Sequence, residues 1–181
     1  MGLFLQTAII PDCDEEAVRG ALEGLAQGGN PMELDISGCR FSSNDKGVQV
    51  LFNEYCEGYG ELAERLSKAT GRAVLLLYIY DEDFWGYHFC ENGVETDRFM
   101  PIPDYFGDES FADASGNAAL LAARFNIPEE DAARYLIPWS PDDTDGLEEG
   151  RKAFDNDEFP IGDCWQMVDF MAKLGWPYPW D

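Results

Sequence analysis

Histidine occurs once in this sequence, as His88, and lysine and arginine together number 12 against 36 aspartates and glutamates. A single histidine leaves no HExxH motif, and GxxxxGK[ST], GxGxxG and GxSxG are absent as well. The common metalloprotease, nucleotide-binding and hydrolase signatures are therefore missing. The scarcity of bases gives a formal charge of −24. Such a field repels DNA, RNA, anionic lipid and nucleotide phosphates, and it attracts basic proteins. No apolar run approaches the roughly 20 residues that span a bilayer. The first apolar run carries no base and meets Asp12, Asp14, Glu15 and Glu16, which is not the pattern of a secretory signal. Paired cysteines are lacking too. Cys13, Cys39, Cys56, Cys90 and Cys164 are odd in number and widely spaced, with no CxxC for zinc or redox work. They read as reduced thiols of a cytoplasmic protein. The expectation is a cytoplasmic chain with no cofactor, no metal, no nucleic acid and no membrane.

What is present describes a folded globule. A hydrophobic fraction of 45% and an aromatic fraction of 14% separate this chain from disordered acidic proteins, which lack aromatics. Its 181 residues suit a single domain with a real core. Residues 1–100 hold 18 acids and 7 bases, and residues 101–181 hold 18 acids and 5 bases. The acidity is global.

Residues 3–10 read as a strand ended by Pro11. Asp12 with Glu15 has capping-box spacing, and Asp14 is an equally good cap for the helix that Val18, Ala21, Leu22 and Leu25 define. Leu34 and Ile36 alternate with acids, and Val48, Val50 and Phe52 alternate with polar residues. With Ser42–Asp45 between them, this predicts a hairpin. Leu62, Ala63, Leu66 and Ala69 mark a second helix that Gly71 closes. The continuous apolar run Val74–Tyr80 predicts a central strand buried on both faces. Asp81-Glu82-Asp83 then turns the chain into a second hairpin, whose tip is the type I′ dipeptide Asn92-Gly93.

The order β-α-β-β-α-β is the split βαβ, or ferredoxin-like, pattern. The fold class is α+β: a mostly antiparallel sheet of about six strands, extended by the last hairpin and followed by a helical C-terminal segment. Helices are expected around Leu120–Phe125, from Pro128 as first helical residue, and over Trp165–Leu174. The organisation expected is one domain, with a sheet-rich part over 1–106 and a helical, acidic-loop part over 107–181 packed on it.

Few groups could carry chemistry. In the simplest register around Asn92-Gly93, His88 faces Asp97 and Cys90 faces Glu95, so one sheet face collects Cys90, His88 and Asp97. An aspartate that orients a histidine that activates a cysteine is the logic of a thiol nucleophile. Alternate residues on a strand are about 6.5–7 Å apart, however, which is long for a sulfur–nitrogen contact. Asp143, Asp145 and Gly146 have EF-hand spacing, but Pro141 and Lys152 fall where the first and last ligands belong. Asn126-Ile127-Pro128 has a helix–turn–helix look, yet Glu129, Glu130 and Asp131 would face phosphates. The aromatics Trp85, Tyr87, Tyr105, Trp176, Tyr178 and Trp180 are of the types favoured at interface hot spots.

Asp83-Phe84-Trp85-Gly86-Tyr87, Glu91-Asn92-Gly93, Asp97-Arg98-Phe99 and Pro103-Asp104-Tyr105-Phe106 resemble segments of small uncharacterised bacterial proteins, some of them similar to immunity proteins of polymorphic toxin systems. The resemblance implies a bacterial, non-enzymatic protein that binds another protein, and it supplies no catalytic residues. The reading is a protein-binding module, of the immunity-inhibitor kind, whose acidic and aromatic surface takes a basic protein partner. The alternative is a small thiol enzyme using Cys90, His88 and Asp97.

Overall fold

The computed structural model describes residues 2–27, 34–53, 58–107, 113–139 and 150–180. Cys56 and the Asp143–Gly146 stretch lie outside the described residues. Among the described residues the elements are β1 (Leu5–Pro11), α1 (Glu15–Gln27), β2 (Arg40–Asn44), β3 (Gly47–Leu51), α2 (Tyr59–Thr70), β4 (Val74–Tyr80), β5 (Phe84–Glu91), β6 (Val94–Phe99), α3 (Ala118–Phe125), α4 (Glu129–Ala133) and α5 (Gln166–Lys173). The six strands form one open antiparallel sheet in the order β2-β3-β1-β4-β5-β6. The order of the first four is that of the split βαβ pattern, and the β5–β6 hairpin extends the sheet beyond β4. The fold class is α+β, as the element order predicts.

The chain forms two compact units, residues 4–78 with 87–97, and residues 1–3 with 79–86 and 98–181. In the first, α1 buries Val18 and Leu22, and α2 buries Leu62, Ala63 and Leu66. These positions recur every three or four residues, so each helix shows one apolar stripe to the core. Asp14 is the cap of α1, accepting from the Ala17 N–H at 2.8 Å. Glu15 instead accepts from Ser43 at 2.7 Å and pairs with Arg19. Gly71 closes α2 in the left-handed region at φ 65°. Six of the seven β4 residues are buried, as a central strand requires.

The first hairpin differs from expectation. Ser42, Ser43 and Asn44 are strand residues, pairing with Gln49, Val48 and Gly47, while Leu34–Ile36 lie outside any strand. Polarity here marks an edge strand with solvent on its outer side, which a turn-residue reading mistakes for a loop. Asp45-Lys46 makes the turn. Gly47 then runs so close to β1 that a Cβ would sit 2.3 Å from the Ile10 carbonyl oxygen.

In the second unit, Trp85 is fully buried against Phe99 and Phe170, with ring centroids at 5.1 and 5.0 Å, and its Nε1–H donates to Gln166 at 3.2 Å. Asn117 caps α3 by accepting from the Leu120 N–H, and Asn126 ends it at φ 56°. Pro128 is the N-cap of α4 and not its first helical residue, a one-position difference of the kind helix ends show. Asp157 anchors the loop after residue 150, since its carboxylate accepts from the buried Tyr135 hydroxyl at 2.9 Å and from the Phe154 N–H at 3.0 Å.

Gly20 and Gly24 sit inside α1, where an added Cβ would meet nothing within 4 Å. Glycine within a helix is less stable than alanine by about 0.5–1 kcal/mol. Gly20→Ala and Gly24→Ala should each raise the unfolding free energy by about that amount in urea titrations, with an unchanged m-value.

Candidate functional site

The turn between β4 and β5 is the most unusual piece of backbone. The Asp83 N–H donates to the Tyr80 carbonyl at 2.9 Å, and Asp81 and Glu82 have φ of 52° and 64°. This is a type I′ turn made by an Asp-Glu pair in place of the usual Asn-Gly. Its geometry is supported from the chain's start: the Gly2 N–H donates to Asp81 Oδ1 at 3.1 Å, and the Glu82 N–H donates to the Leu3 carbonyl at 3.0 Å.

Two groups of side chains flank this turn. On one side the Tyr105 hydroxyl donates to Asp83 Oδ2. Tyr105 and Phe106 meet edge to face at 5.0 Å and close over Phe84, with Tyr105 at 4.9 Å and Phe106 at 6.3 Å. Tyr105 and Phe106 remain 38% and 40% exposed, which is rare for large aromatics among the described residues. On the other side Glu82 borders an open cleft of about 510 Å³, whose far wall is Pro160–Trp165. The Ile161 N–H bonds to the Arg151 carbonyl at 2.8 Å, and Asp163 Oδ1 accepts from the Trp165 N–H at 2.8 Å, so the wall is fixed at both ends. Trp165 continues into a half-buried aromatic row, 6.3 Å from both Phe159 and Tyr178, with Trp180 5.3 Å from Tyr178.

Electrostatics separate this surface from the rest. The segments 79–86, 100–107 and 158–165 hold six acids (Asp81, Glu82, Asp83, Asp104, Glu158 and Asp163) and no base. The Tyr105 hydroxyl is pushed up to about 12, first by its bond to Asp83, then by desolvation and by the charges of Asp83 and Asp81. The Cys164 thiol is raised to about 11 by burial, with Asp163 and Glu82 adding to the shift. The coulombic contributions to both shifts come chiefly from carboxylates, although the largest cause is a hydrogen bond for Tyr105 and burial for Cys164.

The six aromatics singled out in the sequence divide evenly. Trp85, Tyr87 and Trp176 are core residues, 0%, 0% and 3% exposed. The expectation that they face a partner is thereby corrected. Trp85 and Tyr87 lie on β5, buried along nearly its whole length, and Trp176 folds back so that its N–H bonds the Met171 carbonyl at 2.9 Å. Tyr105, Tyr178 and Trp180 keep surface. Phe106 and Glu82 figure in the sequence only within the Pro103–Phe106 segment and the Asp81–Asp83 turn, and Trp165 only as the start of a helix; their places beside the turn and the cleft mark them as surface residues.

The Cys90, His88 and Asp97 arrangement is also corrected. The β5–β6 turn is type I′ as expected, with Asn92 at φ 53° and Gly93 at φ 79°. The carboxylate on His88 Nδ1 is that of Glu95, however, while Asp97 accepts from the Tyr87 hydroxyl at 2.7 Å. Diagonal neighbours across a hairpin are within reach of long side chains, and glutamate reaches farther than aspartate. His88 is wedged between Tyr59 and Tyr78, with centroids at 5.2 and 5.8 Å, and Gly60 lies against its ring. Cys90 is fully buried, and burial, reinforced by Glu95 and Glu64, pushes its thiol up to about 12. This is the reverse of thiol activation. Among the described residues no group of three or more His, Cys, Asp or Glu could hold a metal ion, and no helix is long and apolar enough to cross a membrane. No protein-family model matches the chain, and no curated protein or solved structure matches it either.

Two measurements probe this geometry. Iodoacetamide at neutral pH should leave Cys90 unlabelled in the native protein and label it after denaturation, as read by peptide mass spectrometry. In alkaline titration, tyrosinate absorbance of the native protein minus that of Tyr105→Phe should rise near pH 12, above the ordinary value of about 10. Asp83→Asn should return that step towards the ordinary value. The sign follows from Tyr105 staying protonated in the fold, so its bond to Asp83 is complete below pH 10 and is lost as pH climbs through 12.

Proposed function

We propose that this protein is a non-enzymatic binding module that receives a basic protein partner on the acidic, aromatic surface around the β4–β5 turn. The observation that carries this reading is the pairing of exposed Tyr105 and Phe106 with six acids and no base in the segments that build the surface. Interfaces need apolar anchors to hold a complex and complementary charge to guide it in, and both are present here. The whole-molecule charge of −24 adds long-range attraction for a cation, and such steering raises association rates by about 10 to 10³. The aromatics act at short range, and therefore mainly on dissociation. An immunity-type inhibitor of a basic toxin is the form that the sequence resemblance implies, and it uses the same surface.

The test is to capture the partner from cells of the source organism and to follow the purified complex by stopped-flow kinetics. Raising salt from well below to well above physiological strength, where the Debye length is about 8 Å, should slow association about tenfold or more and leave dissociation within about twofold. Replacing Tyr105 and Phe106 together by alanine should speed dissociation by about tenfold or more. A partner of neutral or acidic charge, or an association rate indifferent to salt, would overturn the proposal.

A further inference from the structure

We infer that the cleft between the β4–β5 turn and residues 160–165 is an arginine-reading subsite, into which the partner inserts the guanidinium of an exposed arginine. The inference rests on the binding reading above and names the chemistry recognised there. Three features of the cleft carry it. Glu82 is exposed at its rim, and its carboxylate has no hydrogen-bond or ion-pair partner among the described residues. Asp163 lines the same cleft, and its Oδ1 accepts from the Trp165 backbone N–H, which fixes that carboxylate in place. Trp165 completes the lining, half-buried, with its ring braced by those of Phe159 and Tyr178.

Two carboxylates and an indole lining one cleft match guanidinium better than ammonium. Guanidinium is planar and stacks on an aromatic face while its five N–H donors fork to carboxylates, whereas ammonium is a compact, strongly hydrated point charge. The wall leaves room for a side chain, since a Cβ added to Gly162 would meet nothing within 4 Å.

The global charge alone attracts any polycation, so the test must separate the cleft from the field. The probes are acetylated, amidated hexa-arginine and hexa-lysine peptides, with binding to the full chain measured by calorimetry at physiological salt. Glu82→Gln and Glu23→Gln each remove one exposed acid, so they change the net charge equally; Glu23 lies on α1 and does not line the cleft. The expected result is that hexa-arginine binds more tightly than hexa-lysine. Glu82→Gln should weaken hexa-arginine about fivefold, which Glu23→Gln should not do, and Trp165→Leu should abolish the preference for arginine. Circular dichroism checks that Trp165→Leu is folded, and Glu82→Gln, at an exposed position, decides the question independently. Equal losses from Glu82→Gln and Glu23→Gln would overturn the subsite and leave the broader acidic surface standing. Failure of both peptides to bind would overturn both.

Discussion

The acidic surface depends on one strained turn. The chain reverses from β4 to β5 through Asp81–Asp83, and a type I′ turn has the hand that matches the twist of antiparallel strands. Here Asp81 and Glu82 supply it, and left-handed backbone costs such residues about 1–2 kcal/mol each. The hydrogen bonds from Gly2 to Asp81 and from Glu82 to Leu3 oppose that cost. Gly2 is the residue that permits the approach, since a Cβ there would come within 2.2 Å of Asp81 Oδ1. Once the turn is set, Asp83 is placed to hold Tyr105, and Glu82 is left at the rim of the cleft.

Most bases of the C-terminal half are engaged around a single loop. Arg134 donates to the Ala153 carbonyl at 3.2 Å, and Lys152 donates to the Asp157 carbonyl at 2.7 Å. Lys173 sits 3.4 Å from the Phe154 ring centroid, and Arg134 lies over the same ring at 4.6 Å. Three of the five bases beyond residue 100 thus fasten the loop around Phe154 and Asp157. Sandwiching an aromatic between cations and burying a carboxylate on a tyrosine hydroxyl stabilise a loop that has little regular structure of its own. That loop leads directly into the wall of the cleft.

The fold was readable because its strongest signals are local and periodic. The apolar run at Val74–Tyr80, the helical stripes at Val18–Leu25 and Leu62–Ala69, and the Asn92-Gly93 turn each report one element. Their order alone names the split βαβ pattern. Strand β2 was not readable, because an edge strand can be built from Ser, Ser and Asn as long as the neighbouring strand supplies the pairing. The surface was only half readable. Composition shows that aromatics and acids abound, but exposure depends on which strand is covered. Trp85 and Tyr87 look no different in sequence from Tyr105, yet they are core residues. The same limit explains His88, whose partner depends on side-chain length across a diagonal rather than on the register alone.

Strand β5 offers an internal comparison, since it begins and ends in the same type of turn. At Asn92-Gly93 the residues are those the geometry prefers, and the turn is packed: the Gly93 N–H donates to Ser67 Oγ at 3.2 Å, and a Cβ on Gly93 would come within 2.8 Å of Lys68 Cβ. Local preference and tertiary packing agree there, as they should where a turn serves only the fold. At Asp81-Glu82 the local preference is overridden. The Glu82 carboxylate has no hydrogen-bond or ion-pair partner among the described residues and lies exposed beside an open cleft. Violations of local rules without a structural return gather at functional sites. The contrast within a single strand adds weight to the proposal that the β4–β5 end meets a partner, with Glu82 exposed there.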